Sequence, residues 1–129
     1  MWITSEVELP QAVLDAQAAG KLVFFVGAGA SVAPPSSLPL FRKLAEQLAD
    51  LARVPFDGSV AIDFFLGSLP ANFDVHSHAR GLLQVPGSTF NPTHSALASI
   101  ASSIPPLRIV TTNFDAHLSS AAEAEAPWV

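Results

Sequence analysis

Two short segments of this sequence carry residues suited to binding a nucleotide. The first is residues 27–31, Gly-Ala-Gly-Ala-Ser, directly after the apolar run 21–26. Backbone can approach a pyrophosphate closely only where side chains are absent, and parallel sheets bind ligands at strand carboxyl ends. The same residues also suit a tight turn without a ligand, because Val32 stands where a dinucleotide fingerprint has its third glycine. Residues 27–31 alone leave both interpretations open.

The second segment is residues 112–115, Thr-Asn-Phe-Asp, at the end of another apolar run. The carboxamide of Asn113 and the carboxylate of Asp115 can hydrogen-bond ribose hydroxyls or orient a water molecule. Asn and Asp are also common in turns and helix caps, and taken alone this segment is better explained that way. The sequence therefore gives two candidate ligand segments, each placed after a strand.

Four histidines are the remaining candidates for chemistry. His117 lies close to Asn113 and could act as a base, although a surface position in the first helical turn is favoured. We expect His94 to be structural. His76 and His78 alternate along the chain, but no third metal ligand is evident, so no metal site is predicted.

Composition excludes several functions. The 129 residues are 50% apolar and 13% charged, with a net charge of −5 and no cysteine. Disulfides and cysteine-ligated zinc are excluded, and no basic patch is available for nucleic acid. The longest apolar stretch, residues 22–26, is far shorter than the roughly 20 residues of a membrane span. We expect a cytoplasmic protein without nucleic-acid or membrane partners.

The elements that must position these residues alternate between strands and helices. Residues 6–19 are predicted to form a helix closed by Gly20, and residues 21–26 a strand buried on both faces. Residues 32–38 contain two prolines and two serines and are predicted to be an exposed loop. Apolar residues at helical spacing then predict a helix from Pro39 to Pro55.

The second half of the chain continues the alternation. Asn91 is a predicted cap and Pro92 the first residue of a helix that reaches Pro105. Further helices are predicted at residues 60–66, 73–83 and 116–124, and a second buried strand at residues 107–112. Strands that alternate with helices predict an α/β fold, a Rossmann-like doubly wound parallel sheet with flanking helices.

Taken together, the ordered motifs resemble those of the sirtuin family. Residues 27–31 followed by residues 38–42, Leu-Pro-Leu-Phe-Arg, resemble the Gly-Ala-Gly-x-Ser turn and the Ile-Pro-x-Phe-Arg segment. Residues 91–97 resemble the helix start before the second sirtuin motif, and residues 111–115 resemble Thr-Gln-Asn-Ile-Asp. The Thr-Thr-Asn-Phe-Asp version is more similar to divergent bacterial sirtuin-like domains, many of which hydrolyse NAD in anti-phage defence. The matches run from residue 21 to about residue 120.

The resemblance implies roles for individual residues. Asn113 would be the catalytic asparagine near the nicotinamide ribose. Thr112, which replaces the sirtuin Gln, and Asp115 would support the pocket. Phe41 and Arg42 would lie on a loop that closes over the nicotinamide side. The residues implied to line the NAD phosphates are Gly27, Ala28, Gly29 and Ser31.

The implied activity is hydrolysis of NAD to nicotinamide and ADP-ribose by a bacterial defence effector. NAD would be the substrate, and no zinc is expected. An NAD-dependent protein deacylase and a non-catalytic NAD or ADP-ribose sensing module are the alternatives. The missing cysteines lean against the deacylase, because a cysteine-ligated zinc module often accompanies deacylation.

The sirtuin catalytic histidine would fall beyond Val129. We therefore expect residues 1–129 to be the N-terminal part of a single sirtuin-like NAD-binding domain, truncated at its C-terminus and inactive alone. A homo-oligomer, an appended C-terminal domain and the choice between NAD and its phosphorylated relative stay open.

Overall fold

The computed structural model describes residues 1–2, 4–106 and 108–125. In these residues the chain is mixed α/β, with six α-helices and one two-stranded parallel sheet. The elements, in chain order, are α1 (Gln11–Ala18), β1 (Phe24–Val26), a 3-10 helix (Ala28–Ser31), α2 (Phe41–Ala52), α3 (Ile62–Gly67), α4 (Val75–Leu83), α5 (Pro92–Ser102), β2 (Ile109–Thr111) and α6 (His117–Glu125). Among the residues described, no helix is long and apolar enough to cross a membrane.

The chain divides into two compact units. One combines Met1–Gly27 with the chain from Pro92 onward, and it holds α1, α5, α6 and both strands. The other is Ala28–Asn91, which holds the 3-10 helix and α2 to α4. The predicted alternation of helices and strands is confirmed in element type, and the parallel strand pair is confirmed with it.

In the first unit, α1 ends at the predicted glycine. Gly20 has a φ of 63°, a left-handed conformation that glycine adopts without a Cβ penalty. The N–H of Gly20 donates to the carbonyl of Gln17, and the N–H of Lys21 donates to the carbonyl of Ala16. This pair of hydrogen bonds is a Schellman motif, which satisfies carbonyls that the helix end leaves open.

The start of α1 is later than predicted. The helix begins at Gln11, with Pro10 as its cap residue, and not at residue 6. The preceding residues fold back on themselves: Trp2 pairs with Glu8 in an antiparallel bridge, and the terminal amine of Met1 donates to the carbonyl of Leu9 at 2.9 Å. Residues 6–9 therefore run back along the first residues of the chain, and the helix starts only after them.

The sheet consists of β1 and β2 in parallel. Its register pairs Phe24 with Ile109, Phe25 with Val110 and Val26 with Thr111. We predicted strands buried on both faces, and this prediction is wrong for one face. Phe25 is 73% exposed and its partner Val110 is 47% exposed, because no described residue covers that side. The apolar run encodes a strand, but the cover it would need on both sides is present on one only.

Helices α5 and α6 pack against each other in the same unit. The buried residues of α5 are His94, Ala98 and Ala101, which recur at helical spacing, and those of α6 are Leu118 and Ala121. Three of these five side chains are alanines, and small side chains allow helix axes to approach closely. One end of this apolar interface is made by a histidine.

In the second unit, α2 supplies the buried surface. Leu44, Ala45, Leu48 and Ala49 are buried on one face of this helix, as its apolar spacing predicts. The helix begins at Phe41, two residues later than predicted, and Ala52 is its last residue. Arg53 follows in a left-handed conformation with a φ of 57°.

The two short helices predicted in the middle of the chain are confirmed as α3 and α4. Phe65 of α3 lies in the core with Ala49 and Leu69, and its ring meets that of Phe56 edge to face at a centroid distance of 4.9 Å. Helix α4 is capped by Asp74, whose carboxylate accepts the N–H of Ser77 at 3.0 Å. The hydroxyl of Ser77 also donates to this carboxylate, at 2.6 Å. The hydrogen bonds from the hydroxyl and the N–H of Ser77 together hold the pKa of Asp74 below its usual value.

The loop at residues 32–38 is exposed, as predicted, at five of its seven residues, and two residues are exceptions. Ser36 and Leu38 are both buried. The hydroxyl of Ser36 donates to the carbonyl of Thr89 at 2.7 Å, and the hydroxyl of Ser88 donates to the carbonyl of Ser36 at 2.6 Å. Ser36, one of the two serines in this loop, thus binds a backbone carbonyl 53 residues further along the chain.

Candidate functional site

The two strands end side by side at the carboxyl edge of their sheet. Val26 and Thr111 are register partners, so Gly27 and Thr112 are the next residues of the two strands at this edge. The N–H of Thr112 donates to the carbonyl of Val26 at 3.3 Å, which extends the pairing by one bond. The residues that open the two candidate segments are therefore neighbours at this edge of the sheet.

Asn113 is held at this edge by a hydroxyl that the sequence interpretation missed. The backbone N–H of Asn113 donates to Oγ1 of Thr111 at 3.1 Å, and the same Oγ1 donates to the carbonyl of Val26 at 2.9 Å. The turn that carries Asn113 is thus tied to the last residue of β1. A threonine hydroxyl often accepts the backbone N–H two residues further on, in an ST turn, and that local signal could have identified it.

The side chain of Asn113 is half-buried, and its carboxamide oxygen is shielded from solvent. Phe114, the next residue, has 78% of its surface exposed. A neutral amide in a sheltered position can orient a hydroxyl or a water molecule without adding a charge to the site.

Beyond Asn113, the turn leads into a cluster of acid and imidazole groups. The carboxylate of Asp115 accepts the backbone N–H of His117 at 3.0 Å. The ring of His117 meets the ring of His94 edge to face, with the centroids 5.8 Å apart. His94 is completely buried and His117 is half-buried, so the expectation of a surface position for His117 is wrong. His94 lies in the first turn of α5, and its complete burial agrees with the expected structural role.

The charge state of His94 follows from this environment. Burial lowers the pKa of His94 below its ordinary value of 6.5. The charge of Asp115 acts in the opposite direction and that of His117 reinforces the lowering. Desolvation is the largest of the three effects, so the neutral imidazole is the favoured form at neutral pH.

In the second unit, the glycine segment forms a 3-10 helix from Ala28 to Ser31. Gly29 lies inside it, and Gly27 precedes it at the end of β1. A Cβ added at either glycine would meet no atom within 4 Å, and neither residue has a positive φ. Neither backbone conformation nor packing against described residues requires glycine at these two positions.

The residues around this 3-10 helix are fixed by a buried asparagine. The side-chain amide of Asn91 donates to the carbonyl of Ala30 at 2.8 Å and to that of Ala33 at 3.1 Å. The carbonyl of Ser31, which is also buried, accepts the N–H of Leu38 at 2.9 Å. Asn91 was predicted to cap α5, and these two hydrogen bonds give its amide nitrogen a different role, in holding the glycine segment.

Phe41 and Arg42 lie in a helix and not in the loop that the sirtuin resemblance implies. They are the first two residues of α2, and both are exposed. The guanidinium of Arg42 lies over the ring of Phe56, 5.5 Å from its centroid. A Cβ at Gly58 would come within 3.1 Å of a guanidinium nitrogen of Arg42. Arg42 is thus engaged within its own unit, where it shields an aromatic ring.

The candidate residues fall in both units. Gly27, Thr112, Asn113 and Asp115 belong to the first, and Ala28, Gly29, Ser31, Phe41 and Arg42 to the second. Within the described ranges there is no group of three or more His, Cys, Asp or Glu side chains able to hold a metal ion. His78 instead stacks on Phe73 and its ring nitrogen lies 2.7 Å from the carbonyl of Asp74.

No protein-family model, curated protein or solved structure matches this chain. The functional interpretation therefore depends on the motifs and on the geometry of the two strand ends.

Proposed function

We propose that this chain binds NAD and belongs to a Rossmann-like, doubly wound domain of the sirtuin type. The observation that carries the proposal is the adjacency of the strand ends at Gly27 and Thr112, in a parallel register. Ligands of open parallel sheets bind outside the carboxyl ends of the strands. The two segments that resemble sirtuin motifs are the ones that leave the sheet at that edge.

The glycines support a role in phosphate binding. Gly27 and Gly29 are exposed, have ordinary backbone conformations and have open space where a side chain would stand. Glycine inside a helix is less stable than alanine by about 0.5–1 kcal/mol, so Gly29, which lies inside the 3-10 helix, calls for a reason. Close approach of a pyrophosphate to the backbone supplies one. The amide of Asn91 would keep this segment in place when the ligand binds.

The proposed reaction is hydrolysis of NAD to nicotinamide and ADP-ribose. The bond between the ribose carbon and the nicotinamide nitrogen breaks, and its electron pair leaves with nicotinamide. A water molecule then bonds to the ribose carbon and releases a proton. The transition state has oxocarbenium character, so the protein must orient the ribose and the water and exclude other nucleophiles. Asn113 would provide that orientation, with Thr112 and Asp115 supporting it.

The biological role we propose is NAD consumption in a bacterial defence effector in the cytoplasm. The support for this role is the Thr-Thr-Asn-Phe-Asp form of residues 111–115. It is this version of the motif that resembles the divergent bacterial domains.

The test is nicotinamide release from NAD by the full-length gene product that contains these residues. We expect Asn113→Ala to lower release by roughly 100-fold or more, a loss typical of removing a group that stabilises the transition state. Asn72→Ala is the matched control, because Asn72 is exposed and outside the candidate segments. Undiminished release by Asn113→Ala would contradict the catalytic assignment.

Two other outcomes distinguish the alternative functions. NAD binding without any turnover would favour a sensing module. Nicotinamide release that requires an acylated peptide would favour a deacylase.

A further inference from the structure

His94 occupies a position where an apolar side chain would serve packing better. It is the third residue of α5, none of its surface is exposed, and the rest of the buried α5–α6 interface is made of Ala98, Ala101, Leu118 and Ala121. Burying an imidazole costs free energy unless its polar atoms and its charge state are accommodated. The groups that contact His94 therefore explain why a histidine occupies this buried position.

Those groups belong to the turn between β2 and α6. The ring of His94 meets the ring of His117, and the backbone N–H of His117 is bound by the carboxylate of Asp115. His94 also interacts with the charge of Asp115 itself. His94 thus interacts with His117 through ring packing and with Asp115 through charge.

Asn113 lies between this cluster and the sheet. On one side its N–H is fixed to Thr111, and on the other side only Phe114 separates it from Asp115. The intervening Phe114 is largely exposed. A rearrangement that moves the backbone of Asp115 also moves residues 113 and 114, because Thr111 is anchored to β1.

The two helices α5 and α6 carry few charged side chains. Helix α5 contains no Asp, Glu, Lys or Arg, and the two glutamates of α6 lie in its last turn, away from His117. Helix α1 reaches α5 through Gln17, an uncharged amide that donates to the carbonyl of Ile100 at 2.8 Å. Among the described residues, Asp115 and His117 are the groups whose charges act on His94.

Protonation of His94 would rearrange this cluster in a defined direction. A buried imidazolium attracts the Asp115 carboxylate. This attraction competes with the hydrogen bond that the carboxylate accepts from the N–H of His117 at the start of α6. The neutral imidazole leaves that hydrogen bond intact.

We infer that neutral His94 is a positioning residue that, through His117 and Asp115, holds the turn carrying Asn113 in its working conformation. The functional part of this inference rests on the proposed NAD hydrolysis, in which Asn113 orients the reactants. The structural part, the coupling of Asn113 to the charge state of His94, does not depend on NAD.

The coupling is tested by NMR titration of the chain between about pH 4 and pH 8. We expect the backbone amide of Asn113 to shift with the same midpoint as the His94 ring. The shift is expected to disappear in His94→Phe, which keeps an aromatic ring but cannot be protonated. His76→Phe, at an exposed position of α4, is the matched control and should leave the titration unchanged.

An Asn113 amide that does not follow His94 in the wild-type chain would overturn the inference. An Asn113 shift that keeps the wild-type midpoint in His94→Phe would overturn it as well. The wild-type titration requires no substitution, so it decides the question even where the variant does not fold.

Nicotinamide release by the full-length gene product separates this inference from the proposed function. We expect the wild-type kcat to fall as the pH drops through the His94 midpoint with little change in KM, and His94→Phe to lose that acid limb. If wild-type protein releases nicotinamide and His94→Phe keeps the same pH profile, the positioning role is wrong and the proposed function stands. If nothing is released but the NMR coupling is present, the proposed function is wrong and the coupling stands.

Discussion

The hydroxyl of Thr111 lies between the ends of the two strands. It donates a 2.9 Å hydrogen bond to the carbonyl of Val26 and accepts a 3.1 Å hydrogen bond from the N–H of Asn113. One side chain therefore joins the end of β1 to the turn after β2. Because Asn113 is the proposed catalytic residue, its position depends on this hydroxyl as well as on the sheet.

Replacing Thr111 by valine should release the turn. The variant keeps the β-branched shape but loses both hydrogen bonds, which we expect to cost about 1–2 kcal/mol of unfolding free energy. Urea unfolding measures this loss. Thr111→Ser retains the hydroxyl and should recover most of the stability. Equal losses in the two variants would show that the methyl group, and not the hydroxyl, holds the turn.

Replacing Asn91 by aspartate should destabilise the glycine segment. Aspartate has the same shape but cannot donate to the carbonyls of Ala30 and Ala33, and it adds a buried negative charge beside them. We expect a loss of about 2–4 kcal/mol in unfolding free energy. The same change at exposed Asn72 should cost less than about 0.5 kcal/mol. Similar losses at the two positions would contradict the role given to the Asn91 amide.

The buried histidine predicts a pH dependence of stability. Because the pKa of His94 is lowered from 6.5 in the folded chain, the unfolded chain binds more protons as the pH falls below that value. The contribution of neutral His94 is therefore complete above about pH 6.5 and is lost as the pH falls toward its folded-state pKa. Urea midpoints measured from about pH 8 down to pH 5 should decline on the acid side. His94→Phe should flatten this part of the curve, and His76→Phe should not.

Arg53 offers a stabilising substitution. It adopts a φ of 57° after the last turn of α2, and its N–H and that of Val54 donate to the carbonyls of Asp50 and Ala49. This is the position of a Schellman motif that glycine usually fills. Arg53→Gly should raise the unfolding free energy by about 0.5–1 kcal/mol, because the left-handed strain outweighs the added chain entropy. Arg53→Ala keeps the strain and serves as the control; an equal gain there would point to the lost charge instead.

Local sequence signals predicted the elements of this fold well. The apolar spacing of α2, the glycine at the end of α1 and the proline at the start of α5 each act within a few residues of chain. Their effect on backbone conformation does not depend on distant partners. The two motif segments likewise follow directly from the runs that form β1 and β2, and the parallel pairing places their first residues at one edge.

Several features that the sequence did not predict depend on partners far along the chain. Ser36 is buried because Thr89 accepts its hydroxyl, and His117 is half-buried beside His94. Polar residue types gave no indication of these pairings. The exposure of Phe25 has the same origin, since an apolar run does not specify whether both faces of a strand will be covered.

The most direct test of the proposed nucleotide site is calorimetric titration of the chain with NAD. Gly29 has open space at its Cβ position and an ordinary φ, so Gly29→Ala should fold normally and keep or slightly raise the melting temperature. Its methyl group would stand where the pyrophosphate approaches, and we expect at least about a tenfold weaker Kd, equivalent to 1.4 kcal/mol. Gly67→Ala has the same open space in α3 and should bind as the wild-type chain does. Wild-type NAD binding that Gly29→Ala leaves unchanged, or no binding by the wild-type chain, would contradict the proposed nucleotide site.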